Sequence, residues 1–212
     1  MTQYTFFTNP MSRGQIARWA LHEAGADYEQ VLVDWQDKPA AFLAANPMAK
    51  VPTIVHHAGD IDGGGDHVVT EAAAICLYLA QMHPEAGLLP HDNEWADYLR
   101  WTFFAAGPVE QMITGRALKF EPTPEQEPMV GYGNAERTLD ALEGWLADRD
   151  WICGSRFTMA DVYVGSSVDW GINFGIVPPR PAFAAYVERI QAREAYKAAK
   201  AIDNQLIEEA RR

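Results

Sequence analysis

Positive charge is scarce in this chain: 17 lysines and arginines stand against 29 aspartates and glutamates, a formal net charge of −12 over 212 residues. A surface of that sign repels phosphate backbones, so nucleic acid is not an expected partner. Cysteine is scarcer still. Cys76 and Cys153 lie far apart among apolar neighbours and read as small hydrophobes rather than disulfide partners or ligands. No apolar run approaches the roughly 18 residues that span a bilayer. Met1 to Phe7 carries no basic segment of the kind that opens a secretory leader. The expected location is therefore the cytoplasm, with no membrane partner. No G-x-G-x-x-G follows the first apolar strand, and the one glycine cluster (Gly59, Gly63, Gly64, Gly65) contains no lysine, which excludes a dinucleotide or phosphate cradle. The six histidines show no ligand spacing, so no metal is expected. What is present is ordinary globular composition, 48% apolar and 22% charged, in a chain long enough for one large domain or two modest ones.

The pattern changes once along the chain. Tyr4 to Thr8 reads as a strand. Ser12, with Gln15 three positions on, reads as a capping box opening a helix that Gly25 stops. Tyr28 to Val33 is a second strand, residues 39–45 a short helix, and Val51 to His57 a third strand. The glycines and aspartates between His57 and His67 make a hairpin tip, Val68-Val69 returns, and Glu71 to Gln81 is helical. The order β-α-β-α-β-β-α matches a thioredoxin-like arrangement, a parallel pair extended by a hairpin. After a linker at 83–92, containing Pro84, Gly87 and Pro90, every segment is helical. Glu94 to Lys119 is interrupted by Gly107-Pro108, Ala135 to Ala147 is amphipathic, and Thr158 to Asp161 is a capping box. Phe183 to Arg193 and Glu194 to Arg212 complete the series. The expected fold is a thioredoxin-like α/β domain at 1–82 followed by an all-α domain at 93–212.

Two runs carry the chemistry. In Asn46-Pro47-Met48-Ala49-Lys50-Val51-Pro52-Thr53-Ile54 a proline stands at the mouth of an apolar strand. In Thr70-Glu71-Ala72-Ala73-Ala74-Ile75 a carboxylate opens a helix. Glu71 has two readings here: a complement to the helix dipole, with Thr70 as cap, or an acceptor for an ammonium ligand. Together with Phe157-Thr158-Met159-Ala160-Asp161-Val162, these runs resemble the glutathione S-transferase superfamily, in its bacterial cytosolic type, over nearly the whole chain.

The resemblance implies a cis Val51-Pro52 bond beside glutathione, with the Val51 backbone pairing to the tripeptide. It implies Glu71 and the Ala72 N–H on the γ-glutamyl group, and Lys50 or Arg13 on the glycyl carboxylate. Ala72 stands where the superfamily usually has serine, at a cost of about 1 kcal/mol for one hydrogen bond. Thiol activation falls to Ser12, whose hydroxyl could donate to sulfur or merely cap the helix, with Asn9 or backbone N–H groups as alternatives. Tyr4 sits too early in its strand for that role. Asp161 is structural in the superfamily. The electrophile is expected in an apolar cleft between the two domains, with Tyr98, Trp101, Tyr132 and Trp170 as its walls and Phe104 and Phe174 as further candidates. Core packing is the competing explanation for each aromatic, and Tyr132 stands apart for its flanking glycines, Gly131 and Gly133. The implied function is a homodimeric transferase joining the glutathione thiolate to a hydrophobic electrophile. A non-catalytic ligand- or partner-binding scaffold is the second reading. A glutathione-dependent disulfide or peroxide reductase is the third, weakened because the loop after the first strand holds no cysteine.

Overall fold

The computed structural model describes residues 2–59 and 64–212. Residues 60–63, which include Gly63 and two aspartates of the expected hairpin tip, lie outside the described residues. The chain divides into two compact units, one formed by residues up to Leu89 together with Arg193–Arg212, the other by Pro90–Ala192.

In the first unit, strands β1 (Tyr4–Thr8), β2 (Tyr28–Leu32), β3 (Thr53–His57) and β4 (Asp66–Thr70) form a mixed sheet ordered β2-β1-β3-β4. The β1–β2 pair is parallel, and β1–β3 and β3–β4 are antiparallel. Period-two alternation assigns the two faces. Phe7 and Val55 join Val33 and Phe42 of helix α2 (Ala40–Ala45) in one apolar cluster, against which Val51 also packs. From the opposite face of β1, Phe6 lies beneath the Arg18 guanidinium of helix α1 (Gly14–Ala24), 5.3 Å from ring centroid to carbon. Gly25, at φ 64°, ends α1 in the left-handed conformation. Helix α3 (Ala72–Met82) packs against α1. The β-α-β-α-β-β-α order of a thioredoxin-like domain is present.

The second unit is helical: α4 (Trp95–Phe104), α5 (Glu110–Ala117), α6 (Ala135–Leu146), α7 (Met159–Asn173) and α8 (Pro181–Gln191). The expected break at Gly107-Pro108 is a π-helical turn, Ala105–Val109, and the chain stays helical through it. Proline lacks the N–H that would continue the ladder, and the turn absorbs the defect by bonding the Glu110 N–H to the Ala105 carbonyl five residues back. Helix α9 (Glu194–Ala210), expected to close the helical domain, instead packs along α1 in the first unit.

Helix α7 is buried along most of its length and starts at the expected capping box. The Asp161 carboxylate accepts from the Thr158 N–H (2.8 Å), the Ile152 N–H (2.7 Å) and the Tyr186 hydroxyl (2.8 Å). Burial outweighs these donors and lifts its carboxyl from the ordinary 3.8 to about 6. The folded state thus holds this proton more tightly than the unfolded chain does. The linked stabilisation is complete below about pH 4 and is lost as pH rises through 6, a loss of about 3 kcal/mol. Asp161→Asn removes that titration. The gap in thermal midpoint between parent and variant is expected to be wider at pH 4 than at pH 7, and equal gaps at the two pH values would refute the linkage.

Candidate functional site

The loop between β1 and α1 is built from short polar bonds. Asn9 Nδ2 donates to the Val33 carbonyl (3.0 Å), and its Oδ1 accepts from the Met11 N–H (2.9 Å), an Asx-turn that ties the loop to the end of β2. Ser12 Oγ donates to the Asn9 carbonyl (2.6 Å) and accepts from the Gly14 N–H (2.9 Å). The expected Ser12–Gln15 capping box does not form. Arg13 occupies the N-cap position without a side-chain cap, and the Gln15 amide turns away to donate to the Pro10 carbonyl (2.6 Å). Both the Ser12 and the Asn9 side chains therefore have partners here; the serine hydroxyl is one rotation from donating elsewhere. Gly14 permits this arrangement, because a Cβ there would lie 2.1 Å from Thr8 Oγ1 and 3.1 Å from Ser12 Oγ.

Asn46 organises the second loop. Its Nδ2 donates to the Lys50 carbonyl (2.9 Å) and to Thr53 Oγ1 (3.0 Å), while its Oδ1 accepts from the Met48 N–H (3.1 Å). Ala49 takes φ 55° inside this turn, and the Val51-Pro52 peptide bond is cis. Pairing of β3 with both neighbours begins at Thr53, so the Val51 main chain lies beyond the ladder. The Lys50 side chain is exposed, as is Arg13.

Thr70 does not cap α3, because it is the last residue of β4 and pairs with Thr53. Glu71 takes the N-cap position at φ 65° and ψ 117°, a left-handed region costly for any residue but glycine. Its side chain gives the helix no capping bond and is exposed. Ala72, the first residue of α3, is buried.

In the helical unit the aromatic candidates separate. Tyr98 and Trp101 are 0% and 1% exposed, and Trp101 packs on Phe104 and Trp145. The expectation that these two form the wall of a ligand site is corrected: helical periodicity points them inward, and they are core. Tyr132 is buried as well, its carbonyl accepting from Thr138 Oγ1 (3.0 Å). Its flanking glycines have local reasons. Gly133 adopts φ 64°, and a Cβ at Gly131 would lie 2.9 Å from the Gln111 amide. Trp170 is half-buried and meets Phe174 edge-on at 5.7 Å, with Phe174 70% exposed. The bracing role of Asn46 in its loop has little signature in the sequence. An asparagine before proline is the one local signal that could have marked Asn46.

Among the described residues, no group of three potential metal ligands comes together, and no helix is long and apolar enough to cross a membrane.

Comparison with known proteins agrees with this architecture. Residues 2–81 match the family model described as the glutathione S-transferase N-terminal domain, and residues 95–194 match that of the C-terminal domain. The chain is 30% identical over 195 residues to glutathione S-transferase GstA of Escherichia coli O157:H7, covering 88% of this chain and 92% of that protein. Among solved structures, a glutathione transferase from Methylococcus capsulatus is 30% identical, with a TM-score of 0.75 over 95% of this chain and 99% of the other. A sphingomonad glutathione S-transferase, solved in complex with glutathione, is also 30% identical, with a TM-score of 0.72 over 94% and 98% of the two chains.

Proposed function

From a chain that belongs to the glutathione S-transferase family, we infer a glutathione transferase that joins the glutathione thiolate to a hydrophobic electrophile in the cytosol, where thiols are kept reduced. Glu71 carries the reading. It is an exposed carboxylate in costly backbone geometry, immediately before a helix, and the protein's own helix makes no capping use of it. Such a group suits the ammonium of a γ-glutamyl residue, while the N–H groups that open α3 at Ala72 suit the adjoining carboxylate. The missing serine hydroxyl at position 72 weakens that grip by one bond and leaves the backbone donors in place. The Val51 main chain, beyond the β3 ladder, is assigned to pair with the peptide, with Pro52 beside it. Lys50 and Arg13 are the cations assigned to the glycyl carboxylate. Ser12 is assigned to donate to the sulfur, with Asn9 as the alternative donor.

The apolar wall for the electrophile is assigned to Trp170 and Phe174, the aromatic pair that keeps an exposed edge. Homodimerisation is supported by Trp95, Leu99 and Phe103, exposed apolar side chains at i, i+4 and i+8 on α4. A loop-thiol reductase has no support, since neither cysteine lies in the β1–α1 loop.

The expected result is retention on glutathione-agarose, turnover of a chloro-nitroaromatic, and a solution mass of two chains. Glu71→Ala is expected to lose retention while keeping its fold. Binding without turnover would favour the non-catalytic scaffold, and neither binding nor turnover by the parent protein would overturn the assignment.

A further inference from the structure

Helix α9 runs antiparallel to α1, and its contacts descend α1 toward the β1–α1 loop. Arg193 Nε and Nη2 donate to the two oxygens of Glu23, each at 2.6 Å. One turn on, Tyr196 meets Trp19 edge-to-face at 5.1 Å. Lys200 Nζ then donates to Gln15 Oε1 at 2.6 Å, while Asp203, outside this series, reaches back up α1 to accept from Arg18 Nε at 2.9 Å. On α1 the residues met at 23, 19 and 15 are spaced by four, one face of a helix. The series ends at the turn that opens from the loop.

We propose that Lys200 and Gln15 are positioning residues for the β1–α1 loop, with the C-terminal helix setting the orientation of Ser12 through the Pro10 carbonyl; this rests on the assignment of Ser12 made above. An amide side chain is nearly symmetric, and which end faces the loop depends on its partners. The Lys200 ammonium has only donors, so it fixes the oxygen of Gln15 toward α9. The amide nitrogen is thereby left facing Pro10, whose carbonyl accepts it at 2.6 Å. Pro10 follows Asn9, whose own carbonyl receives the Ser12 hydroxyl. The relay from Lys200 to Gln15 to Pro10 thus fixes the peptide segment that holds the serine, and the Arg18–Asp203 and Arg193–Glu23 pairs keep α9 in register with α1.

A clamp and a relay differ in their response to a carboxylate at position 15. Gln15→Glu strengthens the contact with Lys200 but sets an oxygen against the Pro10 carbonyl. The relay therefore predicts that Gln15→Glu behaves like Lys200→Met, and that Lys200→Arg, which still donates, behaves like the parent.

Hydrogen exchange of the Met11 and Gly14 amides in the ligand-free protein reads the loop directly, since both are bonded within it. Exchange is expected to accelerate about fivefold in Gln15→Glu and Lys200→Met, the equivalent of one hydrogen bond, with no acceleration in Lys200→Arg. With glutathione bound, the pH profile of turnover is expected to shift to higher pH in the same two variants only. Unchanged amide exchange in Lys200→Met, or parent-like exchange in Gln15→Glu, would overturn the relay. A parent protein that fails to bind glutathione would overturn the functional assignment alone, because the exchange measurement needs no ligand.

Discussion

Arg18→Met is expected to destabilise the protein by about 3–5 kcal/mol, the range for a buried ion pair broken from one side. At this chain length that corresponds to a fall of about 6–20 °C in thermal midpoint. Arg18 and Asp203 are each 1% exposed at their side chains, with Nε and Oδ1 2.9 Å apart. The guanidinium also donates from Nη1 to the Tyr28 hydroxyl (3.1 Å) and lies over the Phe6 and Tyr28 rings. Yet Arg18 Nη2 and Asp203 Oδ2 are buried without hydrogen-bond partners among the described residues. Burial pushes the Asp203 carboxyl above its ordinary range, against the pull of the guanidinium beside it. A pair so incompletely satisfied gives little net stability over an apolar replacement, but loss of one member strands the other charge out of water. The double variant Arg18→Met/Asp203→Leu is therefore expected to recover most of the loss. Thermal denaturation of parent, both singles and the double decides it. A single-variant cost below about 1 kcal/mol, or a double no better than the singles, would show that the pair is not governed by desolvation.

The architecture was legible because several independent local signals agreed. The aromatic and β-branched run Tyr4–Thr8, the Gly25 stop and the Thr158–Asp161 box each point to element boundaries that the structure has, whereas the strand expected from Val51 begins at Thr53, after the cis Val51-Pro52 bond. Signals failed where a side chain had two partners of similar worth. Ser12 with Gln15 satisfies the capping-box spacing, but the serine finds the Asn9 carbonyl and the glutamine finds Pro10 and Lys200, the last of these 185 positions away. No window of sequence contains that competition. The same holds for α9, whose charged, amphipathic pattern fits a surface helix of either unit. What ties it to α1 is the pairing of Arg193 and Asp203 with Glu23 and Arg18, which only the tertiary structure brings together. Tyr98 and Trp101 mark a further limit: an aromatic at helical spacing has the same pattern whether it lines a cleft or fills a core, and burial alone separates the two.

Ser12→Ala is expected to lower turnover at neutral pH by roughly 10- to 100-fold while leaving glutathione affinity nearly intact. A hydrogen bond to a charged acceptor contributes about 1.5–3 kcal/mol, equivalent to one to two pKa units of the bound thiol. Each unit lost cuts the thiolate fraction by up to tenfold when the pH lies below the pKa. The serine hydroxyl rests on the Asn9 carbonyl at 2.6 Å while the Gly14 N–H holds its oxygen at 2.9 Å. On the assignment proposed for Ser12, the oxygen stays in place while the proton rotates from carbonyl to sulfur, and the Gly14 bond strengthens the hydroxyl as a donor. Asn9→Ala is a poorer probe, because it also releases Val33 and the Met11 N–H and so loosens the loop itself. Thiolate absorbance of bound glutathione, followed against pH, separates the two roles. Ser12→Ala is expected to move that titration upward by one to two units with little change in dissociation constant. An unmoved titration with normal binding would transfer thiol activation to the Asn9 amide or to backbone N–H groups, and the loop would then act through its fold rather than through its hydroxyl.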